Sequence, residues 1–437
     1  MLYDRGCRSA EVFLKLNASL IKKTGAALVV RVLGAASSFI LGVILARKLG
    51  ADESGYYFIA FNLIVFLSAV FRCGFDDVIL RIISVKVNAG RWEDAQSAAL
   101  FSIFCVFLVS CAGALVVVSY SDFISVSVYS KEDLAPALSS IGLGLIGLSG
   151  LTLVSVVLQA CGRVVFSIFT QNIFVNVVLA IIVFFFVNDS RHAGWVFSSV
   201  AIIGLFLGLL LFFYSIPKNK RFRASSFRVA ATEILSPAMT LWSVLILSQF
   251  LLLVGQFFTG VFADSDDAAY YAAAQRSATL VGFVLMAVNL VVAPKFAGLH
   301  SHGDLDAISR LARDSVILAV LAATPLSLAM ILYPQFFMGL FGAEFVQGGD
   351  ILRILAIGQF ISVMFGPVTY ILLMSGGEKE MRRIVMIVVP ISLVVGYVLT
   401  SRFGVMGAAY SSVLTLVFQG ALTVKAVNRK YSFNVLR

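Results

Sequence analysis

The chain has 437 residues, of which 60% are hydrophobic and 13% are charged. Soluble domains hold about 25% charged and about 45–50% apolar residues. A soluble fold could not bury this much apolar surface, so we predict a polytopic membrane protein. The net charge of +10 is not concentrated in one soluble module, so it reports membrane topology and gives no support for nucleic-acid binding.

The N-terminal segment, residues 1–24, alternates apolar and basic residues. It has no continuous apolar core followed by a small-residue cleavage site, so its pattern is not that of a cleaved signal peptide. We expect this segment to form a short amphipathic helix on the inner membrane surface.

Twelve apolar runs follow, each near the length of about 20 residues that a spanning helix needs. The predicted spans 1 to 12 are residues 25–46, 57–80, 97–119, 135–158, 165–187, 194–214, 237–262, 270–293, 314–332, 351–373, 384–401 and 405–427. The predicted fold class is therefore all-α integral membrane. It comprises a first six-helix bundle (25–214), a basic cytoplasmic linker (215–236), a second six-helix bundle (237–427) and a cytoplasmic tail (428–437).

The distribution of Lys and Arg predicts the orientation, because cytoplasmic loops carry an excess of both. If the N-terminus is cytoplasmic, 24 of the 33 Lys and Arg residues lie in cytoplasmic segments and only five lie outside. We therefore predict that both termini are cytoplasmic. The basic linker is also expected to bind anionic lipid headgroups.

An internal repeat relates the two halves. The stretch DESGYY at 52–57 matches DDAAYY at 266–271, and SSV at 198–200 recurs at 411–413. Because six spans is an even number, both halves enter the membrane in the same sense. This predicts a parallel duplication, with a pseudo-twofold axis along the membrane normal and a central cavity between the bundles.

Arginines inside the predicted spans are the first candidates for substrate binding, and there are four: Arg31, Arg72, Arg276 and Arg353. An arginine at the centre of a spanning helix costs about 2.5–3.5 kcal/mol on insertion scales, so such residues usually face a bundle interior or a wet cavity. A basic cavity suits an anionic substrate, and the planar fork of arginine suits phosphate oxygens.

Two glutamines extend the candidate site to span 7. Arg31 shares a helix face with small and polar residues of span 1, including Ser38 and Gly42. The repeat offset places Gln249 and Gln256 on the equivalent face of span 7. We therefore predict that both faces line the central cleft and that the two glutamines join the arginines in substrate binding.

Two of the arginines also have a structural explanation. Arg72 precedes Asp76 by four residues, and Asp77 precedes a further arginine by four, so these pairs could neutralise each other on one helix. Asp350 stands three residues before Arg353. Asp76 and Asp77 are also the candidates for proton coupling, although the membrane potential alone could act on a charged substrate.

Metal and cofactor sites are not indicated. None of the five cysteines belongs to a C-x-x-C pair, and none of the three histidines has a ligand partner at metal spacing. We therefore predict no metal and no cofactor.

The run RVLGAASSFILGVILARKLGADESGYY at 31–57 resembles the opening of the polysaccharide-transport flippases. These O-antigen translocase-like proteins belong to the multidrug/oligosaccharidyl-lipid/polysaccharide exporter superfamily. The family pattern is an Arg and a Gly early in span 1, then L-A-R-x-L-G, then G-x-Y opening span 2. The matching residues are Arg31, Gly34, Leu45, Ala46, Arg47, Leu49, Gly50, Gly55 and Tyr57. The run FGVMGAAYSS at 403–412 also resembles the family's entry to span 12, and the resemblance covers about residues 20–427.

This resemblance implies two six-span bundles in a V around a central cavity, as in MATE transporters. It implies that the chain moves a polyprenyl-pyrophosphate-linked oligosaccharide, an O-antigen or exopolysaccharide repeat unit, by alternating access. The direction is from the cytoplasmic to the outer leaflet of the bacterial inner membrane. Related lipid II flippases receive the pyrophosphate in an arginine-rich cavity, and Arg31 fits that role by position. Expected protein partners are a polysaccharide polymerase and a chain-length regulator.

Two other functions remain open. A multidrug exporter of the same fold would favour unpaired acids within the membrane, whereas Asp76 and Asp77 each stand near an arginine. An integral-membrane glycosyltransferase or polymerase would need a sizeable outer loop with a catalytic carboxylate. The outer loop at 333–350 carries Glu344 and Asp350 but is short. We therefore expect a transporter and not an enzyme.

Overall fold

The computed structural model describes residues 3–217, 226–302, 305–374 and 377–431, with side chains for most of those from residue 29 onward. Secondary structure in these ranges is helical throughout, without a strand. The helices, here numbered α1 to α13, are Tyr3–Phe71, Phe75–Asn88, Trp92–Ser119, Leu134–Gly142, Gly144–Ala160, Val164–Phe186, Ser190–Ser215, Ser226–Phe262, Ser265–His302, Leu305–Leu332, Pro334–Gly339, Gly349–Met374 and Glu378–Tyr431.

Two of these helices are far longer than one membrane crossing, and each is broken at a glycine. In α1 the break is at Gly50, where φ is 76° and ψ is −176°. In α13 it is at Gly404, where φ is 57° and ψ is −140°. Only a residue without a Cβ adopts such angles at little cost. Each of the two helices is therefore long enough for two crossings, one on either side of its glycine, and the count of twelve spans stays a prediction.

The number of spans depends on how these breaks are treated. Within the described residues, eight helices are long and apolar enough to cross a membrane, or nine if the bent pair α4 and α5 forms one span. Counting α1 and α13 twice adds two spans, and the 38-residue helix α9 is long enough for one more. The helices thus accommodate the predicted twelve spans.

Span 2 differs most from its prediction at 57–80. Its helix continues directly after Gly50 and ends at Phe71. The chain then turns through Cys73 and Gly74, which have φ values of 51° and 73°, and starts the separate helix α2. A hydropathy window sees apolar residues on both sides of this turn and cannot detect the left-handed backbone between them. Arg72 therefore lies at the junction between α1 and α2.

The predicted ends of the chain and its linker are described only in part. Helix α1 begins at Tyr3, but the side chains of residues 1–28 lie outside the described part, so the amphipathic face expected for 1–24 stays a prediction. Helix α8 begins at Ser226, inside the predicted linker 215–236, of which residues 218–225 are not described. Residues 432–437 of the tail are likewise outside it.

The helices pack as two groups that meet through a small number of elements. Within the first group, α7 packs on α4 and α5, and α5 packs on α3. Within the second group, α12 packs on α9, α10 and α13, and α8 packs on α13. The groups contact each other mainly where α1 meets α8 and α9, and where α3 meets α8. The predicted division into bundles at 25–214 and 237–427 stays a prediction.

The assembly has two ends, called the Gly50 end and the Gly90 end after a glycine at each. The Gly50 end contains Gly50, the start of α9 and the start of α12. The Gly90 end contains α2, the end of α5 and the start of α8. At the Gly90 end, Lys86 Nζ lies 2.5 Å from Glu233 Oε2 and so ties α2 to α8.

Candidate functional site in the cavity between the bundles

A cavity of about 350 Å³ lies where the two bundles face each other. Spans 1 and 2, with α5, α6 and α7, form its wall on one side, and α8 and α9 form the other. Arg276 is the one charged residue among those that line it. The lining residues are Ser38, Leu41, Leu45, Tyr57, Phe61, Asn62, Leu148, Gln171, Asn172, Val175, Asn176, Leu179, Phe197, Leu253, Gln256, Ala272, Gln275, Arg276 and Thr279.

The Arg276 guanidinium reaches from α9 into the angle between the two spans of α1. Its Cζ lies 4.1 Å from the ring centroid of Phe58, a cation–π contact. Gly42 leaves the space it needs, because a Cβ on Gly42 would lie only 2.8 Å from Arg276 Nη1. That Nη1 is buried and has no hydrogen-bond partner among the described residues. Among the described residues, no carboxylate forms an ion pair with this guanidinium.

Gln256 is the second predicted site residue that lines the cavity. It lies on α8 and is buried, with Leu253 one turn before it. Ser38, on the face of span 1 that the sequence pairs with this face of α8, lines the same cavity. The faces of span 1 and α8 therefore meet at one cavity, with Arg276 between them.

Arg31 and Gln249 do not line this cavity. Each stands seven residues before a lining residue, Ser38 or Gln256, which is two helical turns or about 10 Å along the same helix face. Both side chains are partly exposed. Both residues lie nearer the Gly90 end, on the same helix faces that form the cavity walls. Their predicted role in substrate binding stays a prediction.

Arg72 is held locally, as the structural explanation predicts. Its Nε lies 2.7 Å from Asp76 Oδ2, and its Nη1 donates a hydrogen bond of 2.8 Å to Ser68 Oγ. Asp76 Oδ1 is buried and has no partner among the described residues, whereas Asp77 is exposed. None of these residues lines the cavity, and the proposed coupling role of Asp76 and Asp77 stays a prediction.

Arg353 is also paired. Its Nη1 lies 2.6 Å from Asp350 Oδ1, and its Nε donates a hydrogen bond of 3.1 Å to the carbonyl oxygen of Ile331. The pair is at the start of α12, at the Gly50 end and away from the cavity lining. Asp350 and the Ile331 carbonyl oxygen thus already bind the Arg353 guanidinium. Its predicted role in substrate binding stays a prediction.

Sequence reasoning missed the polar residues of α6, together with Asn62, Gln275 and Thr279, which also line the cavity. Gln171, Asn172 and Asn176 line the cavity from an otherwise apolar span. The helix is π-helical at Phe169–Phe174, which shifts the register of the faces on either side. Uncharged amides within an apolar span were the available signal, because polar side chains in a membrane seek a helix partner or a wet cavity.

Hydrogen bonds between the bundles close the Gly50 end above the cavity. They join span 1 and the start of span 2 to the second bundle, and the loop after α3 to the end of α8. Because these contacts cross the interface, the bundles cannot part at this end without breaking them. The bonds are Arg47 Nε to Leu340 O at 2.6 Å, Ala51 N to Glu344 Oε2 at 3.1 Å, Lys131 Nζ to Gly260 O at 2.9 Å, and Ser265 Oγ to Asp52 Oδ1.

Two family models match the sequence. The model described as polysaccharide biosynthesis protein matches residues 20–300, well over half of the chain. The model described as MatE matches residues 244–398, within the second bundle. No curated protein matches.

Solved membrane transporters share the fold over almost their whole length. An inward-facing multidrug resistance transporter of the MATE family, in the MOP superfamily, is 12% identical with a TM-score of 0.75, over 93% of this chain and 98% of that one. The lipid II flippase MurJ, in an inward closed conformation, is 17% identical with a TM-score of 0.67, over 95% and 91%. A MOP superfamily transporter from Pyrococcus furiosus, described by the reverse polarity of its binding pocket, is 12% identical with a TM-score of 0.64, over 94% and 95%. The predicted MATE-like fold class is thereby confirmed.

Proposed function

The chain belongs to the polysaccharide biosynthesis protein family, and from that premise we propose that it is a flippase for a lipid-linked oligosaccharide. Its fold is that of the MOP superfamily transporters. The proposed substrate is an oligosaccharide joined to a polyprenyl chain through pyrophosphate. The proposed direction is from the cytoplasmic to the outer leaflet of the bacterial inner membrane.

The unneutralised charge of Arg276 is the observation that carries this proposal. Its Nη1 is buried without a hydrogen-bond partner among the described residues, inside a cavity otherwise lined by amides, hydroxyls and apolar groups. An unpaired buried charge is costly unless an opposite charge joins it. A pyrophosphate would supply that charge, with oxygens that match the donors of the guanidinium.

The hydroxyls and amides around Arg276 suit the rest of a hydrated headgroup. Gln275 and Thr279 lie on the same helix as Arg276, and Gln256 and Asn62 face them from α8 and span 2. These groups can hydrogen-bond to phosphate or sugar in either direction. At about 350 Å³ the cavity is near the small end of ligand pockets. An oligosaccharide therefore requires that the bundles part further than they do here.

Alternating access gives that movement. The hydrogen bonds at the Gly50 end hold the bundles together on one side of the cavity. In the orientation predicted from Lys and Arg this is the outer side, so the headgroup would enter from the cytoplasm along the face that carries Arg31 and Gln249. Entry there requires that the contacts between the bundles at the Gly90 end, Lys86 to Glu233 and Trp242 Nε1 to the carbonyl oxygen of Val70, be broken. Breaking the Gly50-end contacts and forming new ones at the Gly90 end would then release it outside.

A multidrug exporter is the second candidate, because MATE transporters share the fold. A cationic drug requires a carboxylate or a similar acceptor in the cavity. The lining residues contain Arg276 and no Asp or Glu. Like charges repel inside a low-dielectric cavity, so we favour an anionic substrate.

The test replaces Arg276 with Ala and with Lys in a cell that depends on this protein for a surface polysaccharide. Arg276→Ala should abolish the polysaccharide while the protein stays at normal abundance in the membrane. Arg276→Lys keeps the charge but loses the bidentate fork, so it should retain part of the activity. Arg313→Ala, at an exposed arginine outside the cavity, is the matched control and should behave as wild type.

The outcomes separate the two candidates. Normal polysaccharide in the Arg276→Ala strain would refute the role of the cavity. If deletion of the protein leaves the polysaccharide intact but sensitises the cell to cationic drugs, the exporter is correct instead.

A further inference from the structure

An ion pair between Lys86 of α2 and Glu233 of α8 joins the two bundles at the Gly90 end. The Nζ atom lies 2.5 Å from Glu233 Oε2. The Lys86 side chain is 7% exposed, whereas the Glu233 side chain is 42% exposed. In the part of the chain that the structure describes, Glu233 is the single ion-pair partner of Lys86. The buried ammonium of one bundle is therefore neutralised by a carboxylate of the other.

A tryptophan makes a second contact between the bundles at this end. Trp242 Nε1 on α8 donates a hydrogen bond of 2.7 Å to the carbonyl oxygen of Val70, near the end of span 2. We call these two contacts, Lys86 to Glu233 and Trp242 to Val70, the seam. The bundles can part at the Gly90 end only if the seam opens.

Each helix that carries the ion pair has a backbone break beside the seam. Before α2 the chain turns at Cys73 and Gly74, with φ values of 51° and 73°. The first of these is unfavourable for a residue with a Cβ. In α8, Pro237 has no N–H to donate to the carbonyl oxygen of Glu233, four residues earlier. The ion pair therefore joins two segments that each adjoin a natural hinge, where a few residues absorb the change in backbone angles.

The two partners of the pair lose unequally when the pair is broken. Glu233 already faces water with much of its surface, so its carboxylate stays hydrated after it leaves. Lys86 has no such exposure, and a buried charge that loses its partner is strongly destabilising. Exchange at Lys86 is therefore favourable when another anion takes the place of Glu233. A phosphate can do so, because its oxygens accept the three N–H donors of an ammonium.

We propose that Lys86 binds the phosphate of the anionic headgroup at the start of transport, and that the headgroup opens the seam by replacing Glu233. The inference rests on the proposed function and adds a second phosphate-binding residue to it. While the seam is closed, Glu233 occupies Lys86, so the headgroup reaches this ammonium only in the open state. A ligand that binds one state alone shifts the population toward that state. Arrival of substrate thus opens the end at which it enters.

Lys86 and Arg276 then have different tasks. Lys86 exchanges one carboxylate for the headgroup, whereas no carboxylate lines the cavity that holds Arg276. The headgroup therefore displaces a resident acid at the seam and meets none in the cavity. When it moves on to Arg276, Glu233 can return to Lys86 and close the seam behind it.

Two variants separate this role from that of a simple contact between helices, because Lys86→Gln and Glu233→Gln remove the same ion pair. If the pair only holds the bundles together, both variants should change substrate binding by the same factor. If Lys86 binds the headgroup, Glu233→Gln should bind substrate severalfold more tightly than wild type, since the competing carboxylate is gone. Lys86→Gln should bind about tenfold more weakly than Glu233→Gln, the effect of losing one charge-assisted hydrogen bond.

Binding is measured by fluorescence anisotropy with a fluorescent polyprenyl-pyrophosphate disaccharide. The purified protein is held in nanodiscs that contain phosphatidylglycerol, so ordinary anionic lipid is present in every sample. Lys425→Gln on α13 and Glu132→Gln in the loop after α3 are the matched controls. Both residues are exposed and lie outside the seam, so both controls should bind the probe as wild type does.

Opening of the seam is measured separately, by labelling a cysteine at Ser38 in the central cavity. The background lacks the five native cysteines, and an impermeant maleimide is applied from the Gly90 end. In wild type the polyprenyl-pyrophosphate disaccharide should accelerate labelling severalfold, whereas uncharged polyprenol should not. Glu233→Gln should label rapidly without either lipid.

Failure of this inference is distinct from failure of the proposed function. Flipping of the same probe by wild type in vesicles, followed by quenching from outside, tests the function. If wild type does not flip the probe, the proposed function is wrong and the inference falls with it. If wild type flips it but the two variants bind it with equal affinity, the pair is a structural contact and the inference alone is wrong. Should Lys86→Gln fail to fold, unchanged or weaker binding by Glu233→Gln refutes the inference equally.

Discussion

The glycine at position 55 offers a sharp test of closure at the Gly50 end. A Cβ on Gly55 would overlap the carbonyl oxygen of Ser265 and lie 2.6 Å from its carbonyl carbon. Non-bonded carbons normally stay about 3.5–4.0 Å apart, so the backbones of α1 and α9 must separate by about 1 Å. A main-chain group cannot rotate out of the way, unlike the end of a flexible side chain.

The magnitude follows from the kind of clash. Overpacking of this sort costs about 1–3 kcal/mol. The gain in helix propensity from Gly to Ala applies to the open and closed states alike, so it cancels in their ratio. Gly55→Ala should therefore reduce the closed population relative to the open one by about 5–150-fold. The protein itself stays folded, because the strain is released when the bundles part at this end.

The assay is labelling of a single cysteine at Ser38, inside the central cavity, in a background without the five native cysteines. A membrane-impermeant maleimide is applied from the side of the Gly50 end, and Gly55→Ala should accelerate labelling. Gly339→Ala is the matched control, since its Cβ would meet only Val346 at an ordinary 3.7 Å. Unchanged labelling in folded Gly55→Ala protein would refute the view that this contact closes the cavity.

Two further outcomes can be checked with the same reporter and the flipping assay. Gly42→Ala should displace Arg276 from Phe58 without unfolding the protein, because its Cβ would meet the movable guanidinium end, and transport should fall by a factor that reflects about 0.5–2 kcal/mol of cation–π energy. Burial and then the carboxylates of Asp52, Glu344 and Asp264 raise the pKa of Asp266 at the start of α9. The closed state therefore binds a proton more readily than an open state that hydrates this carboxyl, so closure strengthens as the pH falls through the raised pKa and weakens above it. With the labelling rate at position 38 divided by that of an exposed reference cysteine, because only the thiolate reacts, labelling should slow as the pH is lowered, and Asp266→Asn should show less of this dependence.

The fold class was predictable because it rests on properties that need no long-range information. Apolar runs of spanning length and the Lys and Arg distribution do not depend on which helices touch. The left-handed glycines were partly predictable as well. Gly50 and Gly404 each stand between two apolar runs, and each proves to be a helix break. The break at Cys73 and Gly74 was not foreseen, because the apolar pattern resumes immediately after it.

The candidate site was predictable to the extent that a charge in lipid is conspicuous. Arg276 was identified by charge alone. Its surroundings were not, since Gly42 and Phe58 are far from it in sequence and only the meeting of α1 with α9 brings them together. Asn172 and Asn176 were missed because the π-helical stretch between apolar flanks disturbs the 3.6-residue period by which a helix face is recognised.

The arginines near the membrane divide by whether a carboxylate accompanies them. Arg72 pairs with Asp76, and Arg353 pairs with Asp350, each three or four residues away. Both charges are therefore neutralised locally, whatever the relative position of the two bundles. Arg276 has an aromatic ring and a glycine beside it instead, and one of its nitrogens has no partner among the described residues. A resident carboxylate would compete with an anionic cargo for the guanidinium. The lining residues of the cavity include no Asp or Glu. Under the proposed function, an anionic substrate would therefore supply the counter-charge of Arg276, and the charge would be free again once the substrate leaves.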